Sequence, residues 1–168
     1  MEVYSSYLES ALGLLKITCT DSHLTSLLFM DKQENDSDNT SNRLVEICKM
    51  QLEEYFSGER RLFDLPLGQK GTAFQDTVWQ LLVQIPYGRT ISYNELAKQY
   101  GDIKAIRAVA AANGKNNIAI IVPCHRVIGS NQKLVGYAGG LWRKKWLLNH
   151  EATVSGGLQQ LPFPIING

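Results

Sequence analysis

Apolar residues recur at two different spacings along this 168-residue chain. Leu12–Thr18 and Leu24–Phe29 are short runs rich in Leu, Ile, Thr and Phe. The polar break Cys19-Thr20-Asp21-Ser22-His23 between them suits a hairpin, so the first thirty residues read as strands. Residues 31–42 are uniformly polar and read as a loop. From Leu44 the spacing becomes helical, with Ile47, Cys48, Leu52, Tyr55 and Phe56 on one stripe and Gly58 as the stop. Cys48 on that stripe is a core residue. Pro66–Gly71 reads as a linker. Thr72-Ala73-Phe74-Gln75 is then a capping-box pattern ahead of Phe74, Val78, Trp79 and Leu82. Pro86-Tyr87-Gly88 turns the chain, and Ser92-Tyr93-Asn94-Glu95 is a second capping box. It opens a helix through Leu96, Ala97 and Tyr100 that Gly101-Asp102 breaks. Ile103–Ala112 predicts the next helix, so the pair has the helix-turn-helix pattern. Leu141–His150 predicts a last helix, with Trp142, Trp146 and Leu147 apolar and Arg143, Lys144 and Lys145 exposed. Residues 155–168 read as an irregular tail.

Composition bounds what such a chain can be. Apolar content of 44% and charged content of 20% fit a globular protein. No apolar run approaches the roughly 20 residues that span a bilayer, so no membrane is expected as a partner. The start Met1–Ser6 lacks the basic and apolar regions of a signal peptide. Three widely spaced cysteines, Cys19, Cys48 and Cys124, suggest neither a disulfide framework nor a metal knuckle, and a reducing cytoplasm is the expected setting. The net charge of +1 hides a division. Residues 1–65 carry six Lys and Arg against twelve Asp and Glu, and residues 66–154 carry eleven against four. An acidic half joined to a basic half predicts a module at 1–65, a linker at 66–71 and a second module at 72–154 that faces a polyanion.

The chemistry concentrates at Val122-Pro123-Cys124-His125-Arg126-Val127, just after the apolar run Ile118–Val122. Cysteine is a competent nucleophile only as the thiolate, and a neighbouring base is the usual means of making one. A Cys-His pair can equally be ordinary packing, and its neighbours decide. Glu151, beside His150 at a helix end, could complete a Cys, His and acid relay, although spacing alone does not choose the acid. On the second helix of the turn, Ala105, Ala108, Ala110, Ala111 and Ala112 surround one long cation, Arg107. Small side chains let a helix backbone come close to DNA, and an Arg on such a face can enter a groove or the base stack. The plain alternative is an Ala-rich core helix with Arg107 in solvent.

With these motifs in order, residues 74–151 resemble the C-terminal domain of the O6-alkylguanine-DNA alkyltransferases. The carrying segments are Pro123–Val127, Arg107-Ala108-Val109 through Asn116, Tyr93 within Ile91-Ser92-Tyr93, Tyr137-Ala138-Gly139-Gly140-Leu141, and Trp146–Glu151. Residues 1–65 resemble the family's N-terminal domain loosely, through Ser10-Ala11-Leu12-Gly13. The resemblance implies an α+β fold: a small ribonuclease H-like β-sheet domain followed by a mainly helical, winged helix-turn-helix domain that carries the cysteine. It implies a monomer that binds double-stranded DNA in the minor groove, flips out an O6-alkylguanine (less well an O4-alkylthymine) and moves the alkyl group irreversibly to Cys124. His125, acting through a water, would take the thiol proton and Glu151 would orient it. Asn116 would hold the adjoining backbone. Tyr93 would assist the leaving guanine and displace the 3′ phosphate, and Arg107 would fill the stack, with Ala105 and Ala108 leaving room in the groove. Arg126, Val127, Tyr137, Ala138 and Gly139 would line the substrate and DNA side. The carbonyls of Cys124 and Val127 would accept from the exocyclic amine, and the Ala138 N–H would bond the guanine oxygen.

Two departures from the family pattern matter. Some members hold zinc in the N-terminal domain, but Cys19, Cys48 and His23 are too few for four N or S ligands, so no metal and no cofactor are expected. Ala138 stands where a hydroxyl residue is frequent, which bears on alkyl-size preference. The rival readings are weaker. A lesion reader on this scaffold would lack Cys124. A cysteine hydrolase would need an oxyanion hole. A plain helix-turn-helix regulator would not need Cys124, His125 and Glu151 together.

Overall fold

The computed structural model describes residues 2–34, 40–131 and 133–156. They form two compact units: Met1–Lys70 with Asn117–Ala119, and Gly71–Asn116 with Ile120–Gly168. The class is α+β, a three-stranded sheet with one helix in the first unit and four helices with a two-stranded pair in the second.

In the first unit, β1 (Tyr4–Ser10), β2 (Gly13–Cys19) and β3 (Leu24–Met30) form an antiparallel meander in chain order. Alternation sets the buried face of β2, where Leu15, Ile17 and Cys19 are fully buried. The β1–β2 turn closes with Ser10 paired to Gly13, and Gly13 takes φ 99°, a left-handed value that costs a glycine nothing. Helix α1 (Arg43–Ser57) lies against β1 and β2 and buries Val45, Cys48, Leu52 and Tyr55. Each such side chain contributes about 2 kcal/mol when fully buried. Asn42 caps its first turn by accepting from the Val45 N–H, and Gly58 ends it at φ 87°. Cys48 is therefore core, as expected. Residues 117–119 add to the edge of β3, with Leu27 and Ile118 in a parallel bridge. Of the polar loop expected over 31–42, residues 35–39 lie outside the described residues.

In the second unit both capping boxes form. Thr72 and Gln75 cap α2 (Ala73–Val83), and Ser92 and Glu95 cap α3 (Tyr93–Tyr100). Gly101, at φ 110°, ends α3 by the left-handed route. The next helix is not the single 103–112 segment expected. Asp102 accepts from the Lys104 N–H and tightens Ile103–Ala105 into a 3-10 turn, after which α4 runs Ile106–Gly114. Helix α2 braces the helix-turn-helix: Phe74 meets Tyr100 edge to face at 5.0 Å, and the Trp79 indole donates to the Ala112 carbonyl at 2.9 Å. Two short strands, β4 (Ile91–Ser92) and β5 (Val127–Ile128), pair in parallel and bring the start of α3 beside the segment that follows Cys124.

The last helix, α5, spans Leu141–Val154 and is four residues longer than expected, because nothing between His150 and Gly156 interrupts it. The exposure expected along it is also corrected. Trp142 is 53% exposed, whereas Lys144 is fully buried. Residues 157–168 of the expected tail lie outside the described residues. Among the described residues, no helix is long and apolar enough to cross a membrane.

Candidate active site

Cys124 opens a 3-10 turn, Cys124–Arg126, that feeds directly into β5. The chain arrives there through Ile120, which holds φ 71° although β-branched. Such a residue in the left-handed region stores of order 1–3 kcal/mol of strain. The strained approach is fixed from one side chain: Asn116 Nδ2 donates to the Val122 carbonyl at 2.9 Å and to Cys124 Sγ at 3.3 Å.

The next two residues turn away from Cys124 and into a buried cluster. His125 is fully buried, and its Nε2 lies 2.7 Å from Glu151 Oε2. Arg126 grips the same carboxylate, Nε to Oε1 at 2.8 Å and one terminal nitrogen to Oε2 at 3.0 Å, while its other terminal nitrogen donates to the Ile85 carbonyl at 2.7 Å. The Gly88 N–H adds a longer bond to Oε1 at 3.4 Å, on a turn that Gly88 makes at φ 77°. Burial pushes the Glu151 carboxyl up, but the His125 and Arg126 bonds hold it far below the usual carboxylate range. Glu151 is thus ionised and can only accept. The shared proton therefore belongs to His125 Nε2, which fixes the tautomer and leaves the lone pair on Nδ1. Nδ1 is buried and has no hydrogen-bond partner among the described residues. Burial outweighs the Glu151 carboxylate and lowers the His125 pKa, so the ring is neutral at pH 7.

Cys124 is partly accessible. Burial raises its thiol pKa, against which the Asn116 bond and the Lys144 charge act. The resting group is a thiol whose proton leaves as its bond to carbon forms. Tyr93 stands at the start of α3, with its hydroxyl 3.4 Å from the Val135 carbonyl and in side-chain contact with Asn113. Burial raises its pKa also, so it is a proton donor at neutral pH. On α4, Arg107 and Ala108 are exposed, while Val109, Ala112 and Asn113 face inward; Ala105, at the end of the 3-10 turn before it, is half-buried. In the 136–140 loop Ala138 is exposed and Gly139 is held by Arg143, which donates to its carbonyl at 2.9 Å. Tyr137 is half-buried.

A family model for the 6-O-methylguanine DNA methyltransferase DNA binding domain matches residues 73–153, and one for the ribonuclease-like domain of the same proteins matches 3–69. The chain is 44% identical over 155 residues to a methylated-DNA–protein-cysteine methyltransferase of Methanosarcina acetivorans, covering 90% of this chain and 99% of that one. The chain belongs to the methylated-DNA–protein-cysteine methyltransferase family. It is also 45% identical to the constitutive Bacillus subtilis methyltransferase, over 88% of this chain and 94% of that one. A crystal structure of the Mycobacterium tuberculosis O6-methylguanine methyltransferase superposes with TM-score 0.81 at 44% identity, over 90% of this chain and 94% of that one. A second, of Mycobacterium tuberculosis OGT in complex with DNA, gives 0.82 at 43%, over the same shares.

Within this methyltransferase site the structure brings Cys124 and Asn116 together and places His125 against Glu151. One assignment is corrected. Arg126 does not face substrate or DNA, because its guanidinium is buried and spent on Glu151 and Ile85. Two functional features escaped sequence reasoning. Gly88 reaches Glu151 from a loop 63 residues away. Lys144 is buried on α5, and its neighbours Arg143 and Lys145 gave no sign of it.

Proposed function

We propose that the chain repairs alkylated DNA by moving the alkyl group from O6 of guanine to Cys124, once per molecule. The reading rests on one arrangement: a partly accessible thiol bonded to Asn116, next to a buried imidazole whose Nε2 proton is held by Glu151, on a helix-turn-helix unit. The lesion base enters by flipping, since no group reaches O6 for displacement inside a stacked duplex. Sγ forms its bond to the alkyl carbon as the carbon–oxygen bond breaks. The thiol proton passes through a water to His125 Nδ1, guanine leaves as the anion and takes a proton from solvent, and His125 returns one to solvent. Neutral His125 is the form that can accept, so acidification below its lowered pKa removes the base. Tyr93 donates toward the guanine ring as negative charge builds there, and its bulk moves the 3′ phosphate. The Ala138 N–H bonds the guanine oxygen, and the Cys124 and Val127 carbonyls accept from the exocyclic amine. The thioether has no leaving group for return, so the molecule is consumed.

Residues 72–154 carry this activity, with the sheet domain of 1–65 joined through 66–71. The partner is double-stranded DNA approached from the minor groove, and the protein acts as a monomer in the cytoplasm, where Cys124 stays reduced. O4-alkylthymine is the poorer substrate. Ala138 loses one hydroxyl contact and leaves space for larger alkyl groups.

Incubation with a duplex oligonucleotide containing O6-methylguanine, followed by intact mass measurement, tests the reading. One methyl group per molecule on Cys124 is expected, and an unchanged mass would reject it. Arg107→Ala should slow repair in duplex roughly tenfold or more, since restacking by the cation offsets a base-unstacking cost of a few kcal/mol. Reaction with free O6-methylguanine base, which needs no flipping, should be unaffected. Equal losses on both would rule out a stack-filling Arg107.

A further inference from the structure

Lys144 is the one fully buried lysine among the described residues. Its ammonium donates to three backbone carbonyls: Val127 at 2.7 Å, Val135 at 3.1 Å and Gly136 at 3.2 Å. These carbonyls belong to two different segments. Val127 lies on β5, three residues after Cys124. Val135 and Gly136 open the loop that carries Tyr137, Ala138 and Gly139. The Val135 carbonyl also accepts from the Tyr93 hydroxyl at 3.4 Å, so α3 joins the same point. Three donors on one nitrogen meet three acceptors, which satisfies the ammonium completely.

We infer that Lys144 is a positioning residue for alkyl transfer: a single buried ammonium that ties β5, the 136–140 loop and Tyr93 into one frame around Cys124 and supplies the positive charge that favours its thiolate. This rests on the alkyl-transfer reading for the substrate, but not for the charge it places near sulfur.

The chemistry is specific to an ammonium. A point charge with three donors can bind three carbonyls in different planes, which a planar guanidinium cannot do from the same place. Its charge is also selective. The ionisable groups that feel it are Cys124 and His125 of the 3-10 turn, while Tyr93 of α3 shares the Val135 carbonyl with it. It stabilises an anion at Cys124, which favours loss of the thiol proton; it also disfavours a cation at His125, which keeps the resting ring neutral but opposes its charging. Burial lowers the Lys144 pKa to about 8, with the Cys124 charge acting in the opposite direction. The ammonium is therefore charged at neutral pH and is lost as pH rises through that value.

Lys144→Met removes charge and donors but keeps most of the volume. Methyl transfer to the variant should fall roughly a hundredfold, the scale for losing a preorganised donor and charge at a reacting centre. Affinity for undamaged duplex DNA should stay within about twofold, since Arg107 and the exposed face of α4 make no hydrogen bond to Lys144 among the described residues. The rate of Cys124 carboxamidomethylation by iodoacetamide, followed against pH, should show its thiol ionising at higher pH than in the parent. A residue that only holds the fold would lower the melting temperature without moving that profile. An unchanged profile, or full-rate transfer, would overturn the inference. If the variant does not fold, the parent still decides the matter. In the parent, the rate of Cys124 carboxamidomethylation should rise less steeply with pH once Lys144 loses its charge near pH 8, as followed by the Nζ resonance, and an unbroken slope through that titration would overturn the inference. A parent that takes up no methyl group at all would reject the alkyl-transfer reading and leave both thiol and Nζ measurements intact.

Discussion

Cys124→Ala should take up no methyl group from O6-methylguanine DNA, while binding the lesion duplex as tightly as the parent. The loss is total because the thiol is a reactant. No neighbour can replace it: Cys19 and Cys48 are both fully buried in the sheet domain. The neighbours of Cys124 tolerate the change, since Asn116 keeps its bond to the Val122 carbonyl when the sulfur is gone. Gel-shift titration beside intact mass measurement separates binding from transfer. A residual methyl on the variant would place the acceptor elsewhere.

Glu151→Gln should be the most damaging change outside the thiol, because the carboxylate serves two masters. Arg126 is 6% exposed and loses its counter-ion, and breaking a buried pair from one side costs about 3–5 kcal/mol. His125 loses the acceptor that fixes its tautomer, and with it a proton transfer worth roughly 10²- to 10⁴-fold. Urea unfolding and single-turnover kinetics read the two losses separately. The pH dependence gives a further check. The folded-state pKa of Glu151 is depressed, so its contribution is present above the unfolded carboxyl value near pH 4.3 and fades as pH falls from there toward the lower folded value. The variant should lose that part of the parent's acid sensitivity. A variant with parental stability and transfer rate would contradict the arrangement around Glu151.

What the sequence made legible was local or covered by a motif. Thr72 with Gln75 and Ser92 with Glu95 announce helix starts because a capping box is closed within four residues. Gly58 and Gly101 announce ends because only left-handed backbone needs them there. The Cys124-His125 pair stood out, but spacing did not choose the acid: Glu151 came from the resemblance, since 26 residues of chain separate it from His125 and the fold brings them to 2.7 Å. Arg126 and Lys144 misled for a shared reason. A long cation is normally solvated, and no local pattern says that its head has been bonded indoors. Arg126 turns inward because Glu151 and Ile85 supply acceptors there. Lys144 does so because the Val127, Val135 and Gly136 carbonyls supply acceptors there. The strand β1 was blurred by its Ser and Tyr content, which carries little alternation to read.

The two silent cysteines also have a practical meaning. Burial pushes the Cys19 thiol up to about 11 and the Cys48 thiol up to about 12, so neither is available to a reagent while the sheet domain is intact. The folded chain is in effect a one-thiol molecule. A count of labels per chain then serves as a gauge of integrity: a single adduct marks a spent but folded protein, and a second marks one whose first unit has opened.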